Sequence, residues 1–177
     1  MKVNWQNKEI VRIKIKNKRF SRFLFENGSL SRLIRDQFRG RFHIDLISES
    51  WCIAMKSEKK LLSLRDNETT FIRESYLSCN NKKLVYARTV IPRQTLKKQN
   101  QNLTRLGQKP LGEILFNNNK IYRENIKYAK IPLSDELHSK AREYCNISSE
   151  LYGRQSMFYI KNKPIIVIEV FLPDIIK

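Results

Sequence analysis

The run Ile165-Ile166-Val167-Ile168-Glu169-Val170-Phe171-Leu172, stopped by Pro173, decides the fold class. It is far too short to span a membrane as a helix, and its aliphatic, partly β-branched composition predicts a central strand buried on both faces. Just before it, residues 151–160 alternate in polarity, as a neighbouring strand would. The runs 69–78 and 84–91 are β-rich and separated by Cys79-Asn80-Asn81-Lys82-Lys83, a turn-like break that predicts an antiparallel hairpin closed by Pro92. Phe42, Ile44 and Leu46 alternate with polar partners in a further strand, and Tyr122, Ile126 and Tyr128 fit another.

Helices fall between these strands without a regular order. Gly28-Ser29 precedes Leu30, Leu33, Ile34 and Phe38, an apolar stripe behind a good N-cap, which predicts a helix over 30–39. Thr95 to Leu106 has Leu96, Leu103 and Leu106 at helical spacing with Gly107 as a stop, and a second short helix runs from Pro110 through Leu115. Ser134-Asp135-Glu136-Leu137 opens a helix towards Tyr144. About six strands with irregularly interposed helices imply a single α+β domain over 1–177 with a mainly antiparallel sheet, residues 1–19 forming a basic N-terminal segment.

The 177 residues hold 35 Lys+Arg against 17 Asp+Glu, a formal charge of +18. With 9 Phe, 7 Tyr and 2 Trp, the chain has too many aromatics for a disordered basic tail. No stretch approaches the apolar length of a membrane span, and Met1-Lys2-Val3-Asn4-Trp5-Gln6 lacks the apolar region of a secretory signal. Cys52, Cys79 and Cys145 are widely spaced and distant from His43 and His138, so reduced thiols and no zinc site are expected. The charge is concentrated: residues 1–41 hold 12 basic and 3 acidic side chains, and residues 82–130 hold 12 and 2. A nucleic-acid face would fit that distribution, but no basic-aromatic string, Cys/His finger or recognition helix accompanies it. Lys, Ile and Asn make up nearly a third of the residues, and that bias accounts for much of the charge.

Glu169 poses the chemical question. A carboxylate inside an apolar strand needs a partner or a proton, because an unpaired buried charge is costly. Arg73, Arg88 and Arg154 are the candidates on other predicted strands, and Arg73 shares a face with Phe71, Ser75 and Leu77. A structural ion pair and a ligand site both satisfy the pattern; an arginine suits a substrate carboxylate, and a carboxylate suits a substrate hydroxyl. The chain offers no Ser/His or Cys/His constellation for nucleophilic catalysis.

Four segments carry a resemblance, in matching order and spacing: residues 87–92 (Ala-Arg-Thr-Val-Ile-Pro), 106–116 (Leu-Gly-Gln-Lys-Pro-Leu-Gly-Glu-Ile-Leu-Phe), 151–156 (Leu-Tyr-Gly-Arg-Gln-Ser) and 164–173. Together with Gly28-Ser29-Leu30-Ser31 and Ile72-Arg73-Glu74, they make the chain resemble the chorismate lyase (chorismate pyruvate-lyase) family from about residue 20 to the end. Its composition is most similar to plastid-encoded relatives in algae, themselves related to cyanobacterial enzymes. The resemblance implies conversion of chorismate to 4-hydroxybenzoate and pyruvate without cofactor or metal, by a monomer whose antiparallel sheet buries the ligand beneath helical flaps. It implies that Arg73 binds a ligand carboxylate, that Glu169 meets the hydroxyl end of 4-hydroxybenzoate, and that Leu30 and Leu111 contact the ligand through backbone groups. Leu30 stands where some relatives have methionine, and Tyr152 and Gln155 replace a tryptophan and an arginine. The implied setting is the plastid stroma and quinone head-group supply, with a bacterial cytoplasm as the alternative. The same fold also serves as an effector-binding module that senses a small aromatic acid without transforming it. Lys97, Lys98 and Lys109 sit in the basic blocks and would steer a dianion towards the entrance.

Overall fold

The computed structural model describes residues 3–96 and 101–177. Strands β1 (Phe42–Ile53), β2 (Thr69–Cys79), β3 (Lys82–Pro92), β4 (Ile121–Ile131), β5 (Leu151–Ile160) and β6 (Lys163–Phe171) form one sheet in the order β1-β2-β3-β6-β5-β4. Every pairing is antiparallel, so two three-stranded meanders join through β3 and β6 at the centre. As its sequence predicts, β6 lies inside the sheet, with Ile165, Ile166 and Val170 fully buried. The α+β domain with a six-stranded antiparallel sheet is thus the expected fold.

Two hairpins turn in two residues. Asn80-Asn81 and Lys161-Asn162 all take left-handed φ between 48° and 64°, the conformation that matches strand twist in the tightest hairpins. Asn80 also docks its side chain against the chain entering β1: its Nδ2 donates to Arg39 O at 2.8 Å and its Oδ1 accepts from Arg41 N at 3.0 Å. Gly40 is required there, because a Cβ at its position would fall 1.9 Å from Asn80 Nδ2.

Among the described residues six short helices cover the sheet: α1 (Lys8–Arg12), α2 (Lys18–Leu24), α3 (Leu30–Gln37), α4 (Lys56–Leu62), α5 (Leu111–Phe116) and α6 (Glu136–Arg142). Ser29 caps α3 and Asp135 caps α6, as expected. The single helix expected over Thr95 to Leu106 is a departure. Its described part consists of 3-10 turns at Arg93–Leu96 and Gln101–Thr104, yet Leu96, Leu103 and Leu106 are all buried, so the apolar spacing serves a packed loop. The expected strand 42–46 extends to Ile53, and α1, α2 and α4 add to the expected helices, α2 behind an Asn17 cap with Phe20, Phe23 and Leu24 along one face. The basic N-terminal segment is anchored on the sheet edge by Gln6, which exchanges two backbone hydrogen bonds of 2.8 Å with Tyr128.

The two faces of the sheet are built differently. On one, α4 and α6 pack over a continuous apolar cluster that includes Ile72, Tyr76, Tyr86, Leu137, Met157 and Ile168. Within it Glu58, fully buried, caps Met55 N at 2.9 Å and forks onto Arg88 at 2.7 and 2.9 Å. Arg88 also reaches Glu74 at 2.9 Å, and Tyr86 donates its hydroxyl to Glu74. On the opposite face the apolar core divides in two. Phe23, Leu24 and Ile34 cover one end of the sheet at Leu77, Val85 and Phe171; Leu96, Leu106 and Leu115 cover the other at Phe71, Ile91 and Phe158. The gap between those clusters is a cavity.

Candidate functional site

The cavity floor can be read from strand register. One rung across the sheet is Glu49-Arg73-Thr89-Val167-Ser156, and the next is Ser75-Ala87-Glu169-Arg154-Tyr128. Small side chains at Ser75, Ala87, Thr89 and Val167 leave room in the middle, while charged groups stand at the sides. Leu30, Leu111, Leu115 and Phe158 add apolar walls. An apolar chamber with few convergent polar groups is the usual form of a small-molecule site.

Arg73, Glu169, Leu30 and Leu111, the four residues expected at the site, all line this one cavity. Glu169 is paired directly opposite Arg154, and the two make a fork whose Nη2–Oε1 arm is 3.0 Å. Of the three candidate arginines, then, Arg154 is its partner, while Arg88 lies on the far face. Arg154 also donates to Glu26 O at 2.5 Å. Arg73 pairs with Glu49 across the strands and donates to Gly107 O at 2.8 Å and Lys109 O at 3.2 Å. It therefore holds the loop that leads into α5.

Leu30 and Leu111 are the first residues of α3 and α5, where backbone N–H groups have no partner within the helix. The two helix starts meet over the cavity: a Cβ on Gly112 would lie 3.5 Å from Ser29 Oγ and 3.9 Å from Ser31 Oγ. An Arg35–Glu113 ion pair ties the two helices together at the surface. Lys109 is exposed beside this lid, whereas Lys97 and Lys98 lie outside the described residues.

Sequence reasoning missed Arg123. Strict alternation from Ile126 and Tyr128 turns Arg123 to the opposite face, but a bulge at Asn125, with φ 49°, shifts the phase and brings Arg123 into the cavity. Its Nε and Nη2 donate to Ser156 Oγ at 3.0 and 2.6 Å, and Nη1 donates to Asn27 O at 3.1 Å. Burial, with the positive charge of Arg154 next in weight, pushes its guanidinium down to about 10. Among the described residues no three His, Cys, Asp or Glu side chains gather as a metal site, and no described helix is long and apolar enough to cross a membrane.

Fold and cavity define a class: an antiparallel α+β domain with a cavity lined by Arg73, Arg123 and Arg154 beneath two helix starts. The chorismate lyase family model matches residues 1–177, so the chain belongs to that family. It is 33% identical to a protein named probable chorismate pyruvate-lyase from Nitrosomonas europaea, over 86% of each chain. A protein of the same name from Methylococcus capsulatus is 33% identical over 87% of this chain and 94% of its own. Among solved structures, PhnF from Mycobacterium smegmatis aligns with TM-score 0.59 at 12% identity, over 85% of this chain and 66% of that one. The effector domain of PhnF aligns with TM-score 0.56 at 13% identity, over 83% and 90%. The last two likenesses concern the fold alone.

Proposed function

We propose that the chain is an active chorismate pyruvate-lyase, which converts chorismate to 4-hydroxybenzoate and pyruvate in the cavity described above. The observation that carries this reading is the convergence of Arg73, Glu169, Leu30 and Leu111 on one cavity in a member of this family. Arg73 receives the ring carboxylate, aided by the free N–H groups of Leu30 and Leu111 at the two helix starts. Glu169, its carboxylate already steadied by Arg154, accepts a hydrogen bond from the C4 hydroxyl and fixes the ring across the small residues of the floor.

The chemistry asks little else. The C4 hydrogen leaves as a proton, and the C3–O bond breaks with its electron pair on oxygen. The enolpyruvate released takes up one proton at its methylene carbon and becomes pyruvate. No redox change occurs and no net proton is exchanged; the gain of aromaticity drives the step, and the lid excludes water. Arg73→Ala and Glu169→Gln are the tests: each variant, shown to be folded, should form 4-hydroxybenzoate at least roughly 10-fold more slowly. An undiminished rate in either would sink its role.

We extend this reading to a monomer in a plastid stroma, where the product supplies a quinone head group. The Lys, Ile and Asn bias of the chain supports that setting, while the relatives named above are bacterial. Recovery of the native protein from a bacterial cytoplasm would overturn it.

A further inference from the structure

Three arginines line the cavity, and two of them have carboxylate partners: Arg73 has Glu49 and Arg154 has Glu169. Arg123 pairs with no carboxylate among the described residues; its partners are a hydroxyl and a backbone carbonyl. A cation taken from water without a counter-charge is costly, and the depressed affinity of Arg123 for its proton reflects that burial. The side chain uses three of its five donor hydrogens on Ser156 and Asn27, which leaves donors for a planar anion. The cavity is therefore one anion short of balance at this end.

Its position says which anion. Arg73 and Ser156, which holds Arg123, stand on one rung with only Thr89 and Val167 between them. Three strand steps at about 4.8 Å set the two backbones about 14 Å apart, room for one ring with a charged arm once the side chains are subtracted. Glu169 lies on the strand next to Ser156, so a ring whose hydroxyl meets Glu169 directs its neighbouring substituent towards Arg123.

We propose that Arg123 receives the second carboxylate of a dianionic substrate, the one carried on the enolpyruvyl arm, and so lets the cavity distinguish substrate from product. The inference rests on the chorismate reading above. 4-Hydroxybenzoate has a single carboxylate, which Arg73 takes, and it leaves Arg123 empty; chorismate fills both ends. As the C3–O bond breaks, the electron pair that moves to the departing enolpyruvate oxygen is also stabilised by this nearby cation. Once the arm has gone, pyruvate has no ring to hold it and Arg123 is free for the next substrate.

The experiment compares Arg123→Gln and Arg123→Lys with the unmodified protein. It measures kcat/KM for chorismate, the Kd of 4-hydroxybenzoate by titration and the thermal unfolding midpoint. Arg123→Gln should lower kcat/KM roughly 100-fold and change the Kd of 4-hydroxybenzoate less than about 3-fold, whereas Arg73→Gln should weaken both. Arg123→Lys, which keeps the charge and the fold but loses the planar fork, should fall between. Equal losses for chorismate and 4-hydroxybenzoate would make Arg123 a holder of the Asn27 loop and overturn the proposal, as would an unchanged kcat/KM. If the unmodified protein releases no pyruvate, the catalytic reading fails by itself. Arg123 is then judged on binding alone: the unmodified protein must prefer chorismate to 4-hydroxybenzoate, and Arg123→Lys must erode that preference.

Discussion

Arg154 and Glu169 form the most buried ion pair on the cavity face, and such a pair is easier to break than to justify on stability grounds. Removing one partner strands a charge, while replacing both with apolar groups of similar volume is often neutral. Arg154→Ala should therefore lower the unfolding free energy by about 3–5 kcal/mol in a denaturant titration. The double variant Arg154→Met with Glu169→Leu should recover most of that loss and still release no pyruvate. Full stability together with retained turnover would reduce the pair to scaffolding. Glu169 was legible in the sequence because it is the one charge in the apolar run 165–172. Its partner was not, since three arginines fitted and only the register, with Arg154 opposite, chooses among them. Arg123 was hidden for a different reason: the residue that turns it inward is Asn125, and a single left-handed residue leaves no periodic trace.

The helices owe their places to polar contacts as much as to apolar stripes, which explains which ones could be foreseen. α3 shows a stripe behind a serine cap, and α5 begins after Pro110. α4 has the sequence Lys-Ser-Glu-Lys-Lys-Leu-Leu and buries only Glu58 and Leu62, so it is fastened by the Glu58–Arg88 fork and offers no stripe to read. That far-face network has a pH signature. Burial works against the charge of Glu74, but the Tyr86 hydroxyl, Arg88 and Lys140 outweigh it and hold its carboxyl below the ordinary range. A depressed carboxylate stabilises the fold above its unfolded pKa of about 4.5 and loses that contribution as pH falls through the folded value. Stability should thus decline more gently below pH 4.5 in Glu74→Gln than in the unmodified protein; parallel curves would contradict this. The lid obeys another rule. Arg35 and Glu113 are each about 40% exposed, so Glu113→Gln should change stability by less than about 1 kcal/mol. It should nevertheless speed release of 4-hydroxybenzoate in stopped flow, because the bridge joins the two helices that close the cavity. Release at an unchanged rate would show that the bridge has no part in closure.

Across the molecule the charge of +18 divides between composition and use. Most of the lysines coat the surface, but Lys109 stands exposed on the loop that Arg73 holds at the lid, where it can draw in a dianion. Lys109→Glu should lower kcat/KM at low ionic strength, with the difference fading as added salt shortens the Debye length to about 8 Å; an equal effect at all salt concentrations would mean a local distortion. The sheet order was legible only in part: each strand shows in its own residues, but the pairing of β3 with β6 at the centre comes from contacts far apart in sequence. That pairing is what sets Arg73, Glu169 and the two helix starts around one space, and the central claim is that this space is a catalytic site. The most direct test is to incubate the purified protein with chorismate and a chelator and to quantify both products. One pyruvate and one 4-hydroxybenzoate are expected for each chorismate consumed, at a rate proportional to protein. Saturable binding of 4-hydroxybenzoate with no pyruvate released would contradict it and make the chain a binding module on the same fold.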